Sequence, residues 1–208
     1  MNHRNKVGGL WEEMGTLQFE FLKKNGLKQN HKFLDIACGS FRLGRLAIDY
    51  LDYGNYFGID ADKEVLEDGK KFEISNLMVE KRPNILHNKE FQFYKFNTKF
   101  DFMIAQSLWT HLNLNIILKC IVNIKNVLAK NGKCYVTFFE NENILNVSKI
   151  EQINPTNKLF TNLDSDPYHY TFQTLKNLIN EVGLNVEYIG DWDHPRNQKI
   201  MLITQKHK

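Results

Sequence analysis

Cysteine is scarce and unpaired. The three residues, Cys38, Cys120 and Cys134, are odd in number and form no CxxC motif or Cys/His cluster. That excludes a disulfide framework and a structural zinc site, and it suits a reducing compartment. Only four prolines occur in 208 residues, and no low-complexity tract, internal repeat or linker divides the chain. No apolar run approaches the roughly 18 residues that a membrane helix needs. The polar start, 1–9, lacks the apolar core and small-residue cleavage site of a secretion signal. The expected location is therefore the cytoplasm. There the Asn-Val-Ser triplet at 146–148 would not act as a glycosylation acceptor. Long basic tracts are also missing. The net charge is +3, and Lys23-Lys24, Lys70-Lys71 and Lys81-Arg82 are scattered pairs on a solvated surface, so no nucleic-acid partner is expected. There is no Ser/His/Asp arrangement and no phosphate-cradling G-x-x-x-x-G-K-[ST] loop.

What is present suits one compact domain spanning 1–208. Apolar residues make up 42%, including 15 Phe, 8 Tyr and 3 Trp to bury. Apolar residues recur at helical spacing over 10–24, 43–51, 63–76, 114–129 and 171–182. Between these helices, 32–37, 56–60, 91–96, 100–105 and 133–139 read as strands, with 184–189 and 200–204 as two last ones. Lys130-Asn131-Gly132 is expected to close the fourth helix. Strands that alternate with helices predict an α/β fold, a doubly wound parallel sheet that takes ligands at the carboxyl ends of its strands. The last two strands have only a loop between them, so they should pair as a hairpin with the final strand reversed. The polar stretch 140–170 is too long for a plain connection and is expected to cover a substrate.

The most informative segment is Phe33-Leu-Asp35-Ile-Ala37-Cys38-Gly39-Ser-Phe-Arg42-Leu-Gly44. A strand ends in an acid, and small residues then make a tight turn that opens a helix. Gly39 lets a ligand lie against the backbone. Asp60 follows twenty-one residues later, where a carboxylate can accept from both hydroxyls of a ribose. Nicotinamide enzymes place G-x-G-x-x-G directly after the strand, and Ala37-x-Gly39-x-x-x-x-Gly44 does not fit that spacing. An acid at Asp35 would repel a pyrophosphate but attract an ammonium. That favours S-adenosylmethionine.

This segment resembles motif I of the class I S-adenosylmethionine-dependent methyltransferases, and Tyr56-Phe-Gly-Ile-Asp60-Ala61-Asp62 resembles their second motif. The likeness continues through Phe100-Asp-Phe-Met-Ile-Ala-Gln106-Ser107 and Leu128-Ala-Lys-Asn-Gly132-Lys-Cys-Tyr-Val, and runs from about Trp11 to Lys206. Ala37 departs from it, standing where a glycine is common. The resemblance implies a Rossmann-like, seven-stranded sheet with a reversed last strand and a bacterial small-molecule enzyme. It implies that Asp35 meets the methionine amino group, that Ala37 and Gly39 line the amino-acid tail, and that Cys38 and Arg42 are further cofactor-binding residues. Asp60 would hold the ribose and Ala61 would lie by the adenine. Gln106 and Ser107 would border the methionine part or the substrate. The cofactor is S-adenosyl-L-methionine, leaving as S-adenosyl-L-homocysteine, and no metal is implied.

Methyl transfer is an in-line displacement, so the enzyme mainly aligns its reactants. A hydroxyl or ammonium acceptor must also lose a proton. His111, just past the fourth strand, is the expected base, since histidine side chains titrate near neutral pH. Glu140, at the end of the fifth strand, is an auxiliary candidate. Trp11 and Gln18 on the first helix, in a segment 1–30 expected to close the pocket, are candidate substrate contacts. So are Tyr168 and His169 in Asp164-Ser-Asp166-Pro-Tyr168-His169-Tyr170, and His194 and Arg196 in the loop between the last strands. Each of these also reads as core, turn or corner.

The sequence lacks the Asn/Asp-Pro-Pro-Tyr motif associated with methylation of base or glutamine amino groups. A small acceptor is expected, with sugar hydroxyls or surface-polysaccharide precursors ahead of an amine such as phosphoethanolamine. Two other classes stay open. A nicotinamide oxidoreductase would bind dinucleotides and not S-adenosylmethionine. A non-catalytic S-adenosylmethionine-binding module would methylate nothing as a purified chain. Oligomeric state is not legible.

Overall fold

The computed structural model describes residues 3–141, 150–152, 159–161 and 165–206. In chain order the helices are α1 (His3–Lys6), α2 (Trp11–Lys24), α3 (Gly44–Tyr50), α4 (Lys63–Phe72), α5 (Ser75–Glu80), α6 (Leu114–Val127) and α7 (Phe172–Glu181). The strands are β1 (Phe33–Ile36), β2 (Tyr56–Asp60), β3 (Asn84–His87), β4 (Phe100–Ala105), β5 (Leu128–Phe138), β6 (Ile150–Gln152), β7 (Leu159–Thr161), β8 (Leu184–Gly190) and β9 (Lys199–Gln205). A seven-stranded sheet has the order β3-β2-β1-β4-β5-β9-β8, and β6 pairs with β7 apart from it. β1, β2 and β3 run parallel, whereas β9 is antiparallel to both β5 and β8. This is the Rossmann-like α/β sheet with a reversed last strand. The chain forms two compact units, 1–103 and 104–208, whose boundary falls inside β4.

In the first unit all four residues of β1 are buried, as expected of a strand covered on both faces. Asp62 starts α4 by accepting from the N–H groups of Glu64 and Val65 at 2.9 and 3.1 Å. The helix expected over 63–76 breaks after Phe72 and resumes at Ser75. At the break, Glu73 is held by His3 at 2.6 Å and by Arg4 at 2.7 and 2.9 Å. Burial pushes the Glu73 carboxyl up, but the Arg4 and His3 hydrogen bonds outweigh it and leave it below its usual range.

The third strand lies at Asn84–His87, not at 91–96. It is a four-residue edge strand with no buried residue, so it has no alternation to read. The aromatics of 91–96 instead form a 3-10 turn over Phe93–Phe96. Phe93 is fully buried, and Phe96 packs edge-on to Phe57 and Phe100 at 5.3 and 6.1 Å.

In the second unit, Asn113 caps α6 by accepting from Ile116 N–H at 3.1 Å. The turn expected at 130–132 is absent. Leu128 leaves the helix directly in extended conformation, and β5 begins there. The β8–β9 hairpin forms as expected, with an irregularity between Tyr188 and Gly190. Within 140–170, residues 142–149, 153–158 and 162–164 lie outside the described residues, so Asp164 and the triplet at 146–148 do too. Among the described residues no helix is long and apolar enough to cross a membrane.

Candidate active site

In the first unit the turn after β1 holds three left-handed residues, Ala37, Gly39 and Phe41, at φ 60°, 55° and 67°. The neighbouring elements press close to this turn. A Cβ on Gly44 would come within 2.7 Å of the Tyr56 hydroxyl, one on Gly69 within 2.8 Å of Ser40 Cα, and one on Gly15 within 2.8 Å of the Arg42 carbonyl oxygen. Three small positions therefore set the turn against α2, β2 and α4.

Two acids stand near the carboxyl ends of the strands beside it, Asp35 one residue before the end of β1 and Asp60 as the last residue of β2. Asp60 accepts the Gly39 N–H at 2.8 Å through one oxygen and the Asp62 N–H at 2.9 Å through the other. A carboxylate has about four acceptor positions, so both oxygens can still take a hydroxyl. Burial raises the Asp60 carboxyl, opposed by the backbone N–H bonds from Asp62 and Gly39. Asp35 is 4% exposed and accepts the Tyr56 hydroxyl at 2.8 Å. Burial raises it to about 7, against the pull of that hydrogen bond. A carboxyl held near neutrality by desolvation is one that an arriving cation would ionise.

The other expected residues of this unit have varied surroundings. Arg42 donates to the carbonyls of Val7 and Gly9 at 3.2 and 2.8 Å, tying 7–9 to the turn. A Cβ on Gly39 would meet Val7 Cγ1 at 2.8 Å. Cys38 is buried, and the Ala61 carbonyl lies 3.0 Å from His87 Nε2. Trp11 is buried with the Arg4 guanidinium 4.8 Å from its ring centre, and Gln18 is also buried.

In the second unit, Gln106 and Ser107 follow the last residue of β4. Ser107 is left-handed at φ 55°, and its N–H donates to Thr137 Oγ1 at 2.8 Å. Thr137 in turn donates to Gln198 Oε1 at 2.7 Å. The Gln106 amide lies 3.0 Å from His194 Nε2, and Arg196 N–H donates to His194 Nδ1 at 3.0 Å. Trp192 Nε1 donates to the Gln198 carbonyl at 2.9 Å and fixes the corner.

His111 ends a short 3-10 turn, and its Nδ1 is 2.7 Å from Asp166 Oδ1. Both side chains are more than half exposed, at 59% and 54%. Around them, Tyr168 N–H donates to the Thr110 carbonyl and the Tyr170 hydroxyl to the Leu112 carbonyl, each at 2.7 Å. Tyr168 and Tyr170 stack at 6.2 Å. His169, between them, is fully buried. Glu140 accepts from the Tyr188 hydroxyl.

The sequence reading missed Tyr56, Thr137, Gln198 and the partnership of Asp166 with His111. Gln198 and Asp166 stood in segments already singled out, but neither carries a local signal of its partner. Among the described residues no group of three His, Cys, Asp or Glu side chains could hold a metal ion.

A sheet of this order, with an acid behind each of its first two parallel strands and glycine in the intervening turn, defines a class of α/β enzymes that bind nucleosides at strand ends. A family model described as "Methyltransferase domain" matches residues 27–198. The chain belongs to the methyltransferase domain family, and it is a transferase. Solved structures share the fold at low identity. An S-adenosylmethionine-dependent methyltransferase from Clostridium acetobutylicum superposes with a TM-score of 0.70 at 11% identity, covering 97% of this chain and 94% of that one. Magnesium protoporphyrin IX methyltransferase from Synechocystis, solved with S-adenosylmethionine, gives 0.66 at 11% identity over 94% and 79% of the two chains. A glycopeptide N-methyltransferase, also in complex with S-adenosylmethionine, gives 0.66 at 11% identity over 92% and 94%.

Proposed function

We propose that the chain methylates a hydroxyl of a small molecule, a sugar or a surface-polysaccharide precursor, with S-adenosylmethionine as donor. When bound, that donor supplies an electrophilic methyl group on a sulfonium. The residues of the first unit suit it. Asp35, a buried carboxyl that accepts the Tyr56 hydroxyl, would take the ammonium. Asp60 would take the ribose hydroxyls.

The single observation that carries the acceptor class is the 2.7 Å contact between His111 and Asp166. A carboxylate that accepts from Nδ1–H leaves the lone pair on Nε2, so the ring can take a proton from an alcohol. The exposed pair suits a small acceptor arriving from solvent. The relatives' acceptors, a magnesium porphyrin and a glycopeptide, differ too much to choose one. The location consistent with this reading is the cytoplasm.

The test is a screen of nucleotide-sugars, sugar phosphates and phosphoamines, reading formation of S-adenosylhomocysteine. Turnover with a hydroxyl acceptor is expected. Turnover confined to phosphoamines, or to none of the three classes, would overturn the reading.

A further inference from the structure

Residues 3–9 lie across the turn after β1, and side chains of the first unit hold them there. The Glu73 side chain is only 5% exposed and takes both His3 and Arg4, the guanidinium through two parallel hydrogen bonds. His3 stacks on Phe72 at 5.4 Å, and Arg4 lies over the Trp11 ring. Lys6 pairs with Glu64 at 2.9 Å. Arg42 holds the carbonyls of Val7 and Gly9. The result is to seat Val7 on Gly39. Val7 Cγ1 stands 2.8 Å, and its Cβ 3.5 Å, from the place a Cβ on Gly39 would occupy. The space that glycine keeps clear at position 39 is therefore filled by a valine methyl group. A ligand lying against that backbone needs the same space, and the two cannot share it.

The segment is built to come away as a piece. α1 has no buried residue, and Val7 is half-buried, so lifting them exposes little apolar surface. Gly8, Gly9 and Leu10 join α1 to α2 in successive left-handed conformations, at φ 87°, 61° and 47°. A Cβ on Gly9 would meet nothing within 4 Å, so glycine there serves backbone conformation and not packing. Such positions absorb the dihedral change of a hinge.

We propose that residues 3–9 are an autoinhibitory strap: latched on Glu73, they seat Val7 on Gly39 and exclude the methyl donor, which enters when the strap swings away about Gly8 and Gly9. This rests on the S-adenosylmethionine reading of the turn. A segment that closed over a bound donor would strengthen its binding, whereas this one competes with it. The apparent affinity is then the intrinsic affinity reduced by the fraction of chains whose strap is open. A carboxylate gripped by a guanidinium and an imidazole keeps that fraction low.

Calorimetric titration with S-adenosylhomocysteine tests the sign of the effect. Glu73→Gln keeps the size of the side chain but removes the charge that holds His3 and Arg4, and should tighten binding about tenfold. Val7→Ala keeps the latch but withdraws the methyl groups from Gly39, and should tighten binding about threefold or more. Unchanged or weaker binding in either folded variant overturns the proposal, and weaker binding is the result a lid over the donor would give. Thermal midpoints check that each chain is folded, and Val7→Ala alone decides if Glu73→Gln is not. In the wild-type chain, proton spectra should show a cross-peak between the Val7 methyl groups and the Gly39 α-protons that S-adenosylhomocysteine abolishes. A cross-peak that survives saturation overturns the strap. Binding by neither the wild-type chain nor the two variants overturns the donor reading itself, and the strap with it.

Discussion

Asp60, in the first unit, takes its protein hydrogen bonds from the backbone N–H groups of Gly39 and Asp62. His111, in the second, meets a side chain fifty-five positions away. The same contrast holds through both units. The turn after β1 is built from left-handed backbone and small residues, with buried Asp35 and half-buried Asp60 at the carboxyl ends of their strands. The groups after β4 are held by side chain to side chain contacts, Gln106 to His194 and Ser107 to Gln198, with separations of 88 and 91. A site made of backbone geometry is rigid but chemically plain. One made of paired side chains can move protons, and it depends on every partner. Damage to the turn after β1 should therefore appear in donor binding, and damage to the His111–Asp166 pair in turnover.

The largest effect that could break this contrast is at His111. His111→Ala should lower turnover by about 10²–10⁴ while S-adenosylhomocysteine affinity stays unchanged. Asp166→Asn should lower turnover less, because it weakens the hold on the ring without removing the proposed base. Steady-state kinetics with the acceptor found by the screen, beside calorimetry, separates the two quantities. A His111 variant with wild-type turnover would remove the proton-transfer role. One that lost donor affinity instead would erase the distinction between the units.

Asp60→Ala is the matching test in the first unit. Two charge-assisted hydrogen bonds to a ribose are worth about 1.5–3 kcal/mol each, so S-adenosylhomocysteine should bind about a hundredfold more weakly or worse. Unaltered affinity would show that this carboxylate serves the turn alone, through Gly39 and Asp62.

The same contrast explains what the sequence showed. The acids at 35 and 60 and the glycine at 39 were legible because strand, turn and helix signals are local, and β1 is a buried strand whose residues other than Asp35 are apolar. β3 was not legible, because an exposed edge strand of four residues has no periodicity. The aromatic segment 91–96 imitated one because its rings plug the core from a turn. Asp166 read as half of an Asp-Pro turn, and nothing local to it points to residue 111. Thr137 and Gln198 were missed for the same reason: their contacts form only when the chain folds.

A third prediction sharpens the electrostatics of the first unit. The folded carboxyl of Asp35 is raised from 3.8 to about 7, so between those values the native state holds a proton that the unfolded chain has released. That contribution to stability is complete below the unfolded value and is lost as pH rises through about 7. A bound ammonium favours the ionised form, so donor binding should run the other way. S-adenosylhomocysteine affinity should rise about tenfold between about pH 6 and pH 8, and Asp35→Asn should flatten the rise. A flat wild-type profile would mean that no cation meets this carboxyl.

The smallest effect concerns Ala37, where the family pattern commonly has glycine. Its φ of 60° puts a Cβ in the left-handed region, at a cost of about 1–2 kcal/mol. Glycine relieves that strain but gives the unfolded chain more freedom, which returns about 0.4–1 kcal/mol. Ala37→Gly should therefore raise stability by about 0–1.6 kcal/mol, read as a small upward shift of the thermal midpoint, with turnover unchanged. Destabilisation by the substitution would mean that the alanine methyl group packs well enough to outweigh the strain. The turn would then owe its shape to side-chain packing, as the second unit does, and the contrast between the units would narrow to the acids alone.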